Sequence, residues 1–156
     1  MNLALKRWIR FTVVLVLVLV LCWQNSNDSE NLTNLIYNII RDFAEYFGKA
    51  TTYSAKSYLL IRKIGHAVAF AIMGFFSHTA IAATAEDFQS AMICSFIFNP
   101  AIGIIAEIGQ GYALGRSPCI KDAVINICGC LIGIGIAVIY VAIRDEKLRD
   151  KGYHEE

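Results

Sequence analysis

Charge is what this chain has least of. Of its 156 residues only 17% are Asp, Glu, Lys or Arg, against 56% hydrophobic, and the apolar residues fall in long blocks. That leaves too little polar surface to clothe a water-soluble domain of this size, which points to lipid as the solvent. The two signs nearly cancel, for a formal net charge of +1. With no bulk basic field and no interleaving of basic and aromatic residues, nucleic acid is not an expected partner. The five cysteines, Cys22, Cys94, Cys119, Cys128 and Cys130, form no CxxC pair. Four of them lie inside apolar stretches, where a thiol behaves as a small hydrophobe. Cys128 and Cys130, two positions apart on a helix, point to nearly opposite sides and cannot share a metal. No metal site and no cofactor is therefore expected.

The apolar blocks themselves predict an all-α fold: a polytopic membrane protein, built as one domain over residues 1–156. Its core is a four-transmembrane-helix bundle with spans at about 5–23, 62–85, 90–108 and 122–143, and an amphipathic segment at about 31–60 between the first two. Lys6, Arg7 and Arg10 precede the Val/Leu run from Phe11 to Trp23. No small-x-small cleavage site follows, and Trp8 and Trp23 bracket the run as interfacial aromatics do, so an uncleaved first helix is expected rather than a signal peptide. After the polar cluster Gln24 to Asn31, residues Leu32, Leu35, Ile36, Ile39, Ile40, Phe43 and Phe47 recur at helical spacing. Such a segment packs on the bundle, lies at the headgroup boundary, or lids a site. The link Glu86-Asp87-Phe88-Gln89 is short enough to force an antiparallel hairpin. Asn99-Pro100 falls near the middle of the third span, where proline removes a backbone hydrogen bond and is expected to kink the helix. Gly129 and Gly133, with Gly135, form a small-xxx-small face suited to close helix contact.

This topology leaves seven Lys or Arg on each side of the membrane. The first helix breaks the tie: three cations precede it and none follows until Arg41. The positive-inside rule then places both termini in the cytoplasm. Hairpin connectivity brings the start of the second span, the end of the third and the start of the fourth to one face. Arg62, Lys63 and His66, then Glu107 and Gln110, then Arg116, Lys121, Asp122 and Asn126 collect there. Helical spacing relates Lys63, His66 and Phe70, and likewise Glu107 with Gln110 and Asp122 with Asn126. Ionisable groups a turn inside a bilayer are costly without partners, so they face a bundle interior or a wet cavity. The plain alternative for Asn126, His66 and Glu107 is a buried hydrogen-bond network holding three helices in register. For Arg62, Arg116 and Lys121 it is headgroup anchoring, and His78, off the His66 stripe, reads as a satisfied bundle histidine.

The stretch Arg62-Lys63-Ile-Gly-His66-Ala-Val-Ala-Phe70, together with Glu107-Ile-Gly-Gln110, Gly115-Arg116, Asp122, Asn126, Gly129 and Gly133 in order and spacing, resembles the VanZ-like family of bacterial membrane proteins. Phe70 departs from that pattern, standing where tyrosine is common. The resemblance covers roughly residues 60–135. It implies a cell-envelope protein of the bacterial plasma membrane, from a family whose founding member is tied to reduced susceptibility to the lipoglycopeptide teicoplanin. It carries no reaction with it. The matched positions Lys63, His66, Glu107, Gln110, Arg116, Asp122 and Asn126 are the expected functional cluster. In the expected roles, Lys63 and Arg116 attract an anionic group, Glu107 and Asp122 orient them, and Gln110 and Asn126 supply neutral hydrogen bonds. Membrane lipids are the expected partners, with a lipid-linked cell-wall precursor or a lipoglycopeptide as candidate ligand, and a homo-oligomer is compatible with the layout. Two rival readings stand beside this one: a lipid-headgroup hydrolase using His66 with Glu107 or Asp122, and a small oligomeric carrier or proton-linked channel.

Overall fold

The computed structural model describes residues 2–48, 55–115 and 117–150, with the backbone alone at 55, 56, 58 and 148–150. Among them are five helices: α1 (Leu3–Cys22), α2 (Ser26–Tyr46), α3 (Ala55–Ile81), α4 (Phe88–Gln110) and α5 (Ile120–Asp150). Their boundaries follow local chemistry. Asn25 starts α2 by accepting a hydrogen bond from the Asp28 N–H at 2.8 Å, and Asp28 sits where the helix dipole favours an anion. The helix stops at Gly48, whose φ of 73° suits a residue without Cβ, with its N–H returned to the Glu45 carbonyl at 2.9 Å. Asp87 caps α4 by accepting from the Ser90 N–H at 2.6 Å. That backbone hydrogen bond holds the Asp87 carboxyl below its ordinary pKa.

The segment expected at 31–60 divides differently. The polar cluster after Trp23 belongs to a helix, because its asparagine is a cap rather than a loop residue. Residues from Ala55 onward already belong to α3, and 49–54 lie outside the described residues. α2 has three distinct sides. Thr33 and Tyr37 are buried against the bundle, while Leu35, Ile39 and Phe43 are exposed, Phe43 at 67%. Asn34, Asn38, Asp42 and Glu45 fall on the remaining side.

Among the described residues three helices are long and apolar enough to cross a membrane: Leu59–Ile81, Phe88–Gln110 and Ile120–Lys147. α1 differs in carrying Lys6, Arg7 and Arg10 in its first turns, so that its charge-free stretch is confined to Phe11–Cys22. It packs on α3 and α4 through Phe11, Val18 and Cys22. The inside of the bundle is built of small and polar residues around a few large ones such as Phe70, Met73 and Ile134, whereas Ile97, Ile105, Ile132 and Ile139 face outward. A bundle in lipid is arranged this way, since outward isoleucines cost nothing there and close backbone approach supplies the packing.

α3 and α5 form the largest interface, and glycine makes it. A Cβ on Gly129 would strike the Ala67 carbonyl, one on Gly133 the Ala71 carbonyl, and one on Gly74 the Cys130 carbonyl. The pairing of 129 with 67 and 133 with 71 shows the two helices running parallel, with α4 antiparallel between hairpin turns. Gly135, expected on the same face, meets nothing within 4 Å of an added Cβ. Two residues beyond Gly133, it is turned to the far side of α5, and Gly74 is the third glycine of the seam. α4 continues through Pro100 rather than ending there. Beside it His78 Nδ1 lies 2.9 Å from Ser95 Oγ, Asn99 donates to the Ser95 carbonyl at 3.0 Å, and Cys130 Sγ reaches the Asn99 carbonyl at 3.7 Å.

A candidate polar site at one end of the bundle

The helix register sets the depth of each polar side chain. Gly129 touches Ala67 and Phe70, so Asn126, one turn earlier on α5, lies level with the turn of α3 that carries Lys63 and His66. An added Cβ on Gly103 would sit 3.4 Å from Asn126 Cβ. Glu107, one turn further along antiparallel α4, is therefore level with Asp122. The ion pair of Arg62 with Asp122 at 3.7 Å fixes the same level from α3. Six polar residues from three helices, Arg62, Lys63, His66, Glu107, Asp122 and Asn126, thus share one end of the bundle.

Three side chains there are almost fully buried. Glu107 and Gln110 are each 4% exposed and Asn126 is 0% exposed. Glu107 Oε1 accepts the Cys119 N–H at 2.6 Å, tying the loop from 111 to 119 down onto α4. Neither amide atom of Asn126, nor Gln110 Nε2, has a hydrogen-bond partner among the described residues. A buried polar atom left in this state costs about 1–3 kcal/mol, and native structures hold few of them without a reason. His66 lies on α3 against a cavity shared with the end of α1 and the first half of α2. Lys63 is half-buried on the same helix, and Lys121 is exposed at the start of α5. Arg116 lies outside the described residues.

The arrangement changes the division of labour expected from the sequence. Asp122 pairs with Arg62 rather than with Lys63, and Glu107 holds a backbone N–H of the loop. Phe70, lacking the hydroxyl of the resembling pattern, is fully buried against Gly129, as suits a ring that only packs. The functional cluster expected from the sequence omits Arg62, although it stands one turn before His66 on the same helix. Trp23, expected from the sequence only as an interfacial aromatic, also donates from Nε1 to the Ala106 carbonyl at 3.1 Å. The indole lies where a Cβ on Gly109 would be. Beyond it, Ser26 N–H donates to the Leu114 carbonyl at 3.1 Å, and Gly115, with φ 76°, passes against Ser26 Cβ. The α4–α5 loop is thereby seated on the α1–α2 corner, so all five helices contribute to this end of the molecule.

No curated protein and no solved structure matches the chain. The family described as VanZ/LLP1 does match, over residues 8–141, a range that begins in α1 and reaches the last turns of α5. With glycine seam, buried polar end and seated loop all inside that range, the chain belongs to the VanZ/LLP1 family.

Proposed function

We propose that this is a four-span integral protein of the bacterial plasma membrane, with both termini cytoplasmic, whose outward polar end engages the anionic headgroup of an amphiphile. The ligand class comprises phospholipids, lipid-linked cell-wall precursors and lipoglycopeptides such as teicoplanin. α1 is the first of the four spans. α2 lies along the outer headgroup boundary, with its Thr33 side on the bundle, its Phe43 side in lipid and its asparagine side in water. The observation that carries the reading is the buried set Gln110 and Asn126, one turn from the Arg62–Asp122 pair. Neutral amides behind a cation are suited to the ester and phosphate oxygens of a headgroup. Lys63 adds positive charge at the same face, where the sequence also leads us to expect Arg116, and His66 faces the adjoining cavity.

An acid–base reaction fits less well. Glu107 would first have to release the Cys119 N–H, and Asp122 the Arg62 guanidinium, before either carboxyl served a substrate. Binding uses both groups where they stand. The test is teicoplanin tolerance in cells expressing the chain, together with the lipids and lipid-linked precursors that co-purify with it. Arg116→Ala and Asn126→Leu are expected to lower both while protein remains in the membrane. Unchanged tolerance and unchanged co-purifying species in both variants refute the proposal.

A further inference from the structure

Glycine in the middle of a transmembrane helix normally marks a close approach. Gly74, Gly129 and Gly133 obey that rule, each facing a backbone carbonyl of the opposing helix. Gly65 does not. A Cβ built there meets nothing within 4 Å, its backbone is not in the left-handed region, and it lines the cavity between α1, α2 and α3. Helix packing gives no reason for its missing side chain; the space does.

That cavity measures about 180 Å³. An apolar protein cavity of about 150 Å³ takes up a benzene ring, so there is room here for about six carbons of a chain. Its walls are mostly apolar, with Gln24, Ser29 and Thr33 adding neutral polar groups toward the α1–α2 corner. Leu32, Ile36 and Ala69 are apolar, while Arg62 and His66 bring a cation and an imidazole from successive turns of α3. The Asp122 carboxylate stands 3.7 Å from the Arg62 guanidinium, beyond hydrogen-bond length, and a guanidinium presents five donors in a planar fork matched to phosphate. α2 roofs the space while turning its Leu35, Ile39 and Phe43 side away from the bundle.

We propose that this cavity receives the first carbons of an acyl chain of an anionic membrane lipid, whose phosphate sits at Arg62, and that the absent side chain of Gly65 is what keeps the space open. The inference rests on the headgroup reading above and narrows it: the ligand is held by its chain as well as its charge, and enters beneath α2. A chain leaving the bilayer for an apolar cavity gains little, because lipid is already apolar. Selection among lipids therefore falls to the phosphate contact, and the cavity selects for a chain over a soluble anion.

The experiment uses the full-length protein in nanodiscs of phosphatidylcholine doped with phosphatidylglycerol, with retained lipids counted by native mass spectrometry. Wild type is expected to retain phosphatidylglycerol preferentially, and inorganic phosphate in the buffer is expected not to displace it. Loss of a charge-assisted contact corresponds to about a tenfold drop in retention for Arg62→Gln. Gly65→Leu, which fills the cavity from an open helix position, is expected to fall comparably, and Gly65→Ala to stay near wild type. Gly65→Val replaces the leucine variant if the latter fails to insert, with helicity by circular dichroism as the folding control. If Arg62→Gln lowers retention and the filled cavity does not, the chain-binding inference is overturned and the headgroup reading stands. Displacement by inorganic phosphate also overturns it, since a soluble anion then suffices. If neither variant lowers retention, both readings fall.

Discussion

Two glycines two positions apart on α5, Gly133 and Gly135, are predicted to respond to alanine with opposite signs. At Gly135 an added Cβ meets nothing within 4 Å, so only intrinsic preference acts, and alanine in a helix interior is favoured over glycine by about 1 kcal/mol. At Gly133 the same methyl would lie in contact with the Ala71 carbonyl and the Phe75 amide. Backbone cannot swing aside as a side chain can, so α3 and α5 must separate along their whole seam. Overpacking of this kind costs about 1–3 kcal/mol, and here the upper part of that range applies. Subtracting the propensity gain, Gly133→Ala is expected to destabilise by about 1–2 kcal/mol, while Gly135→Ala is neutral or stabilising. Reversible unfolding in mixed micelles with increasing dodecyl sulfate, followed by circular dichroism, measures both against wild type. Equal effects at the two positions would refute the parallel glycine seam.

Other outcomes follow from single contacts. Glu107→Ala removes the acceptor for the Cys119 N–H and is expected to cost about 1–3 kcal/mol, seen as faster proteolysis within residues 111–119. Ser95→Ala deprives buried His78 Nδ1 of its neighbour, a loss of about 1–3 kcal/mol in the same unfolding assay. Gly109→Val is expected to push out the Trp23 indole and break its bond to the Ala106 carbonyl, shifting Trp23 emission in a Trp8→Phe background. Asp87 carries a lowered pKa through its bond from Ser90, so its contribution is present above its unfolded pKa and is lost as pH falls through the folded one. Asn also caps helices well, and Asp87→Asn is expected to keep the cap while removing that acid-side fall in stability.

The three long apolar helices and the meeting of their polar ends are legible in the sequence because they rest on run length and on hairpin parity, both independent of packing detail. Helical spacing alone put Glu107 with Gln110 and Asp122 with Asn126. The rest depended on rotation about helix axes, which a one-dimensional pattern fixes only to within a face. Gly135 shares small size with Gly129 and Gly133 but not their azimuth, so composition grouped what geometry separates. Arg62 and Lys63 are adjacent cations of equal plausibility, and only the parallel register of α3 and α5 selects Arg62 for Asp122. Asn25 falls in a polar cluster whose composition conceals a helix start, because caps and loops draw on the same residue types. Trp23 looked like an interfacial anchor, and the indole N–H bond to α4 adds a contact that no sequence spacing announces.

The account stands on the buried polar end of the bundle facing outward, opposite the C-terminal tail. Labelling of intact cells with a membrane-impermeant maleimide tests it most directly, using single cysteines placed at Ser117 in the seated loop and at Glu156 in the tail, in a background whose native cysteines are replaced. Ser117→Cys is predicted to label in intact cells, and Glu156→Cys only after permeabilisation. Labelling of both from the same side, or of the tail alone in intact cells, would contradict the topology and with it the proposed encounter with an outer-leaflet amphiphile.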